Sequence, residues 1–210
     1  GLAALALTVG YRFVLADRDE RFLRRSFAFY LAPEVIDTMV ASGKMPALGG
    51  EMRNVTMFFS DLSGFSSIAE TMTPGELVTL MNEYLSAMTD IIEGHGGYVD
   101  KYIGDSIVAM FGAPADDPAH ARNAVSAALT CQQRLAELNA GNPAFAGHGL
   151  SQRIGLNSGE AVVGNIGSRR RFNYTVMSDT VNVASRLEGA NKYYGTAIMA
   201  SEATFMQTGE

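Results

Sequence analysis

The order of apolar and polar residues changes along the chain between a period typical of strands and one typical of helices. NVTMFFSD (54–61) is an apolar run rich in β-forming residues, and it predicts a core strand that ends on Asp61. The capping signature TPGE (73–76) and the apolar residues that follow it at helical spacing predict a long helix. GYVDKYIGDSIVAMFG (97–112) has two β-rich halves around Gly104, which predicts a hairpin.

The second half of the chain continues the alternation of strands and helices. The predicted elements are a helix from Asp117 to about Asn139, a strand pair over 153–167 with a turn at Gly159, a short strand or loop over 172–177, a helix capped by Asp179, and a strand over 197–200. This order predicts an α+β fold, a ferredoxin-like split βαβ core with an antiparallel sheet and flanking helices, preceded by a helical connector.

The N-terminal segment differs in composition from the rest. Residues 1–11 carry no charge, and a dense charged stretch follows from Asp17. Because the apolar run is shorter than the roughly 20 residues that a span needs, residues 1–16 are predicted to be the end of a transmembrane helix. A helix packed on a partner is the alternative. Residues 17–48 predict an amphipathic helical connector, and a chain that begins with Gly1 is expected to be a piece of a longer protein.

Composition excludes several classes of function. The 210 residues include 16 basic and 22 acidic side chains, a net charge of −6, so binding to nucleic acid is not expected. Cys131 is the single cysteine and cannot form an internal disulfide, so we expect it to fill apolar space. His95, His120 and His148 are expected at the surface, since no nucleophile motif accompanies them.

Two carboxylates stand where a metal site is chemically reasonable. The chain has neither a GxxxxGK[ST] loop nor a GxGxxG loop after a strand. Asp61 ends an apolar strand and Asp105 lies in the hairpin turn, so the two can converge on one point. Paired carboxylates with open positions suit Mg²⁺ or Mn²⁺. From residue type and spacing alone, a capping role for Asp61 and a turn-forming role for Asp105 explain the pattern equally well.

A second polar pair lies at the start of the third long helix. Asn182 and Arg186 are one turn apart and therefore share a face. Arginine there can stabilise charge on a phosphoryl group, and the asparagine amide can position a sugar. Spacing alone favours ordinary solvated surface residues.

Four ordered motifs carry a family resemblance. FFSDLSGFS, DKYIGDSIVAMFGAP, RIGLNSGEAVVGNIGS and YTVMSDTVNVASRLE resemble the catalytic domain of the class III nucleotidyl cyclases, the adenylate and guanylate cyclases. The resemblance covers 49–210. The upstream RFLRRSFAFYLAPEVI is similar to the connector of membrane-anchored bacterial cyclases. The resemblance thus implies a cytoplasmic catalytic domain in a protein anchored in the inner membrane, downstream of a membrane or sensor region.

The resemblance assigns roles to individual residues. It implies that Asp61, Asp105 and the backbone carbonyl of Leu62 bind two divalent ions, Mg²⁺ or Mn²⁺. Backbone N–H groups of 63–65 (Ser63, Gly64 and Phe65) would meet the β- and γ-phosphates. Asn182 would orient the ribose, and Arg186 would meet the charge that develops on the α-phosphate.

The resemblance also implies that Lys101 and Thr175 occupy the positions that select the base. Lysine only donates hydrogen bonds, which suits adenine N1, and a threonine hydroxyl can accept from the adenine amino group. The resemblance therefore implies an adenylate cyclase that converts ATP to 3′,5′-cyclic AMP and pyrophosphate. Because the chain carries both sets of residues that the family places on opposite subunits, a homodimer is expected.

Two departures from the family pattern and three alternatives remain. Ser178 replaces a glycine, and the sequence stops at Glu210 where family members continue into a closing hairpin that carries a basic residue for the terminal phosphates. The first alternative is a non-catalytic nucleotide-binding or dimerisation module of cyclase descent. The second is a guanylate cyclase, which Lys101 and Thr175 oppose. The third is a diguanylate cyclase, which lacks support because its Gly-Gly-Asp/Glu-Glu-Phe signature is absent.

Overall fold

A computed structural model describes residues 47–145 and 147–209 of the chain. The segment predicted as the end of a membrane helix (1–16) lies outside the described residues, as does the predicted connector (17–48) except for its last two residues. In the part of the chain that the structure describes, no helix combines the length and the apolar character needed to cross a bilayer.

Strands and helices alternate through the described residues. The strands are β1 (Gly49–Leu62), β2 (Gly97–Ile103), β3 (Ser106–Phe111), β4 (Gln152–Ser168), β5 (Arg171–Met177) and β6 (Ile198–Ala200). The α-helices are α1 (Phe65–Ala69), α2 (Pro74–Gly94), α3 (His120–Gly141), α4 (Asp179–Tyr194) and α5 (Glu202–Gln207), and a 3₁₀ turn covers Pro143–Phe145.

The strands form one sheet in the order β2-β3-β1-β4-β5. All of these neighbours are antiparallel, and β6 pairs with β4 in parallel. The first four strands with their two long crossover helices are the split βαβ arrangement. The predicted α+β fold with an antiparallel sheet and flanking helices is confirmed.

Both faces of the sheet are covered by apolar side chains. Strand β1 contributes to both faces, because successive side chains of a strand point to opposite sides of the sheet. Phe58 faces a core that includes the buried residues of α2 and α3. Val55 and Met57 face a second core that includes Val176 of β5 and Ala184 of α4. The sheet is therefore the middle layer, and α4 packs on the side away from the two long helices.

Local sequence signals set the start and end of α2. The Thr73 backbone N–H donates to Glu76 Oε2 at 2.9 Å, and the Glu76 N–H donates back to Thr73 Oγ1 at 3.4 Å. This is the predicted capping box, with Pro74 as the first helical residue. The hairpin prediction is confirmed as well, because Gly104 takes a φ of 64° in the turn between β2 and β3.

The predicted strand pair over 153–167 is wrong. β4 is one strand of 17 residues, and Gly159 lies within it, paired with Val55 of β1. A Cβ on Gly159 would lie 3.0 Å from the Thr180 hydroxyl, so the absent side chain makes room for α4. The glycine therefore serves a close approach between two elements and not a turn.

Two expectations about caps and histidines also change. Ser178, and not Asp179, is the N-cap of α4: its hydroxyl oxygen accepts the Thr180 N–H at 3.1 Å. His120 is buried, in contrast to the expected surface position, and its Nδ1 lies 2.7 Å from Thr56 Oγ1. Thr56 Oγ1 also lies 2.6 Å from Ser158 Oγ, so the imidazole belongs to an internal polar network.

Candidate active site

The end of β1 and the turn between β2 and β3 bring Asp61 and Asp105 together. The backbone N–H of Leu62 donates to Asp105 Oδ2 at 3.2 Å, and the Ser106 hydroxyl donates to Asp61 Oδ1 at 2.7 Å. The side chain of Leu62 is buried in the core, so only its backbone faces the two carboxylates. The predicted convergence of the two aspartates is present in the fold.

The two carboxylates affect each other electrostatically. Partial burial, followed by the negative charge of Asp61, raises the pKa of Asp105 above its ordinary value of 3.8. Asp61 has a cationic partner: Arg153 Nη2 lies 2.9 Å from Asp61 Oδ2. The same guanidinium binds Glu188 through Nε at 2.7 Å, and this hydrogen bond raises the pKa of Arg153.

The oxygen atoms at this point suit a hard divalent cation. Two carboxylates that repel each other, next to a backbone carbonyl, are the ligand types that Mg²⁺ and Mn²⁺ prefer. Partial burial and the neighbouring charge of Asp61 both disfavour an ionised Asp105, and a bound cation would oppose both effects. Among the described residues no group of three or more His, Cys, Asp or Glu converges.

The segment after Leu62 turns into the short helix α1. Gly64 takes a φ of 69° there, and its N–H and that of Phe65 are among the first of the helix, which lack intrahelical partners. The Ser63 N–H donates to the carbonyl oxygen of Ser151 at 2.8 Å. The expectation that Ser63 presents a free N–H to phosphate therefore needs correction, because the fold uses that group.

Lys101 and Thr175 meet although they are 74 residues apart in the chain. Lys101 Nζ lies 3.3 Å from Thr175 Oγ1. Their strands, β2 and β5, are at opposite edges of the sheet, so the sheet curls until its two edges approach. Tyr98 and Tyr174 contact edge to face with ring centres 5.7 Å apart, which is a second contact between the same strands.

A buried acid completes this cluster. Thr175 Oγ1 donates to Asp100 Oδ2 at 2.7 Å, and Lys101 Nζ lies 3.3 Å from the same oxygen. The Asp100 side chain is only 2% exposed, whereas that of Lys101 is 47% exposed. Burial is the main cause that raises the pKa of Asp100. Lys101 thus presents a donor at the surface, with a hydroxyl and a carboxylate behind it.

Asn182 and Arg186 lie on the exposed face of α4, one turn apart as predicted. Asn182 Nδ2 donates weakly to Asp179 Oδ1 at 3.4 Å. Arg186 forms no ion pair with any residue that the structure describes, which leaves its guanidinium available. The helix itself is held close to the sheet at Gly155, where a Cβ would collide with the backbone of Ala184 and Glu188.

Three charged residues of the site escaped the sequence analysis: Asp100, Arg153 and Glu188. Asp100 is one of two adjacent unlike charges in a β-rich segment, and Arg153 is a charged residue near the start of an apolar strand, so these two carried a local signal. Which carboxylate Arg153 meets depends on the register of β4 against β1, where Asp61 and Arg153 are opposite each other. The register is a tertiary property.

The fold and these side chains define a class: an antiparallel split βαβ domain with paired strand-end carboxylates and a separate cluster of donor and acceptor groups. The chain belongs to the family of adenylate and guanylate cyclase catalytic domains, whose model matches residues 49–207. Adenylate cyclase 1 of Rhizobium meliloti is 38% identical over 182 residues, which is 87% of this chain and 27% of that protein. The chain therefore spans about a quarter of this curated relative.

Solved structures agree with the family. The structure of a bacterial light-regulated adenylyl cyclase matches with a TM-score of 0.78 and 29% identity, over 95% of this chain and 57% of that chain. The guanylyl cyclase Cya2 matches with a TM-score of 0.70 and 39% identity, over 78% of this chain and 82% of that chain. Relatives of both base specificities thus share this fold.

Proposed function

We propose that the protein is an adenylate cyclase, which converts ATP to 3′,5′-cyclic AMP and pyrophosphate. In this reaction the ribose 3′-oxygen loses its proton and bonds to the α-phosphorus, while the bond from the α-phosphorus to the bridging oxygen of pyrophosphate breaks. The observation that carries the proposal is the meeting of Lys101 with Thr175 across the curled sheet, at 3.3 Å. A donor beside a hydroxyl complements the N1 acceptor and the amino group of adenine.

Each remaining residue has a role in positioning or charge. Asp61, Asp105 and the backbone carbonyl of Leu62 would hold two divalent ions, which stabilise the attacking and leaving oxygens when bound. Arg186, exposed and unpaired among the described residues, would meet charge on the α-phosphate. Asn182 on the same face would orient the ribose. Gly64 and Phe65 would offer backbone N–H groups to the terminal phosphates.

We further propose that the active site forms between two copies of the chain. One chain would contribute Asp61 and Asp105, and its partner would contribute the base-selecting pair together with Asn182 and Arg186. A C₂ dimer would then hold two equivalent sites.

Guanylate cyclase activity is the second candidate, because the guanylyl cyclase Cya2 shares 39% identity with this chain. Guanine offers a donor at N1 and an acceptor at its exocyclic oxygen. The ammonium of Lys101 cannot accept a hydrogen bond from the N1–H of guanine, so two donors would face each other. The cluster therefore favours ATP.

Mixing two inactive variants tests the shared site. Asp61→Ala and Arg186→Ala should each lose activity alone. When the two are mixed in equal amounts, a mixed dimer regains one complete site, and we expect roughly a quarter of the wild-type rate of cyclic AMP formation. Absence of recovery in a mixture that forms mixed dimers would contradict the shared site. High activity of either variant alone would contradict the assigned roles.

A further inference from the structure

Strand β2 contains an irregularity at Val99-Asp100-Lys101. The ladder partners of Val99 and Lys101 are adjacent residues of β3, so Asp100 has no partner of its own and forms a bulge. In a regular strand, neighbouring side chains point to opposite faces, and a bulge changes that direction. Here the side chains of both Asp100 and Lys101 reach the hydroxyl of Thr175.

The hydrogen bonds of this hydroxyl can be counted. A hydroxyl has one proton to donate and two lone pairs to accept. The Thr175 hydroxyl donates a hydrogen bond to Asp100 Oδ2 at 2.7 Å and accepts one from Lys101 Nζ at 3.3 Å. One lone pair remains. The free valence of Thr175 is therefore an acceptor, and no proton is left to donate to a ligand.

The position of Asp100 fixes the orientation of the Thr175 hydroxyl. An ionised carboxylate only accepts hydrogen bonds, so it can hold the hydroxyl in one orientation alone. Its side chain is 2% exposed, and Oδ1 has no hydrogen-bond partner among the described residues. Thr175 is itself only 8% exposed, so little solvent reaches its hydroxyl. The ammonium of Lys101, 3.3 Å from Oδ2, supplies the compensating charge.

We propose that Asp100 is a specificity-determining positioning residue, which fixes Thr175 as an acceptor and thereby selects a purine with an amino group at C6 over one with a carbonyl oxygen at C6. The inference rests on the proposed function for the identity of the ligand. An amino group can donate to the free lone pair of Thr175. A carbonyl oxygen is an acceptor, so its lone pairs would face the lone pair of Thr175 with no hydrogen-bond donor between them.

Binding of substrate analogues that cannot react tests the proposal. 3′-Deoxy-ATP and 3′-deoxy-GTP lack the attacking hydroxyl, so their dissociation constants are measured without turnover. In Asp100→Asn the amide can donate to Thr175, which frees the hydroxyl proton to point at the base. We expect the preference for the adenine analogue to fall by about tenfold, the value of one hydrogen bond. Asp100→Ser, which can also donate, serves if the amide variant fails to fold.

A double-mutant cycle shows whether Asp100 acts through Thr175. In a Thr175→Val background, which has no hydroxyl, Asp100→Asn should leave the ratio of the two dissociation constants unchanged. Asp116→Asn is the matched control, because that side chain is 91% exposed and pairs with Arg53, and it should keep the wild-type ratio. Thermal unfolding of each variant checks that the fold is retained.

The outcomes separate this inference from the proposed function. A ratio within twofold of wild type in Asp100→Asn would overturn the inference, as would an equal shift in the Thr175→Val background. A wild-type protein that binds the guanine analogue as tightly as the adenine analogue would overturn it too. If wild type prefers the adenine analogue, Asp100→Asn removes the preference, and yet ATP is not cyclised, then the inference holds and the proposed activity fails.

Discussion

Arg153 and Asp61 face each other across the ladder of β1 and β4, with 2.9 Å between Nη2 and Oδ2. The same guanidinium binds Glu188 of α4 at 2.7 Å. One side chain therefore joins the strand end that carries Asp61 to the helix that carries Arg186. The Glu188 side chain is only 12% exposed, and Arg153 is its ion-pair partner.

Replacement of Arg153 should destabilise the domain. Arg153→Gln leaves two carboxylates without their shared cation, and we expect a loss of about 2 kcal/mol in the free energy of unfolding, less than for a fully buried pair. Arg134→Gln is the control, since the Arg134–Glu137 pair is 46% and 51% exposed, and it should cost less than about 1 kcal/mol. Urea unfolding measures both. Equal stability of the two variants would show that the bridge contributes nothing.

Asp105→Asn should separate stability from activity. The raised pKa means that Asp105 favours folding when it is protonated. This contribution is complete below its ordinary pKa of 3.8 and is lost as pH rises through the raised value, so the carboxylate is a burden at neutral pH. Without divalent ions the asparagine variant should therefore melt a few degrees higher than wild type at neutral pH.

Addition of divalent ions should reverse the order of the melting temperatures of wild type and Asp105→Asn. Mg²⁺ or Mn²⁺ that binds only the folded state raises the melting temperature. We expect this rise in wild type and in the control Asp90→Asn, and expect little of it in Asp105→Asn, together with at least a hundredfold loss of cyclase rate. A full metal-induced rise in Asp105→Asn would contradict its role as a ligand.

His120 should make stability fall on mild acidification. Burial lowers its pKa from 6.5, against an opposing effect of Asp117, so the folded protein favours the neutral imidazole. The stability it supplies is complete above pH 6.5 and is lost as pH falls towards the lowered value. Unfolding free energies from pH 6.5 to about pH 5 should fall less steeply in His120→Gln than in wild type and in the control His148→Gln. Parallel slopes in all three proteins would refute this.

Two glycines near α4 should respond to alanine with opposite sign. Gly155→Ala would push a Cβ into the backbone of α4, and we expect a cost of about 2 kcal/mol or more. Gly189 lies within α4 and has no atom within 4 Å of a built Cβ, so Gly189→Ala should stabilise by about 0.5–1 kcal/mol. Denaturant midpoints at constant m-value measure both. A neutral Gly155→Ala would mean that α4 does not depend on this close approach.

The sequence predicted correctly the features that depend only on residues close together in the chain. The capping box at Thr73 and the turn at Gly104 form as expected, since both depend on neighbouring residues. Gly159 was misread because a glycine that makes room for another element looks like a turn glycine in sequence. His120 was misplaced for a related reason: its partner Thr56 lies 64 residues away.

The residues of the candidate site also differ in how far local sequence predicts them. The sequence allowed Asp61 and Asp105 to converge because one ends an apolar strand and the other lies in a hairpin turn, and capping and turn-forming roles explained the same pattern equally well. The family resemblance, and not spacing, supplied Lys101 and Thr175, whose meeting requires the sheet to curl. Asp100 could not be assigned from the sequence, since its direction depends on a bulge in the pairing of β2 with β3.

Product formation from ATP and from GTP, followed over a range of protein concentrations with Mg²⁺ or Mn²⁺, tests the proposed activity most directly. We predict that 3′,5′-cyclic AMP forms from ATP in clear preference to cyclic GMP from GTP. The proposal that the active site forms between two copies of the chain predicts a rate that rises faster than linearly with protein concentration. A preference for GTP, or nucleotide binding by the dimer without any cyclic product, would contradict the assignment as an adenylate cyclase.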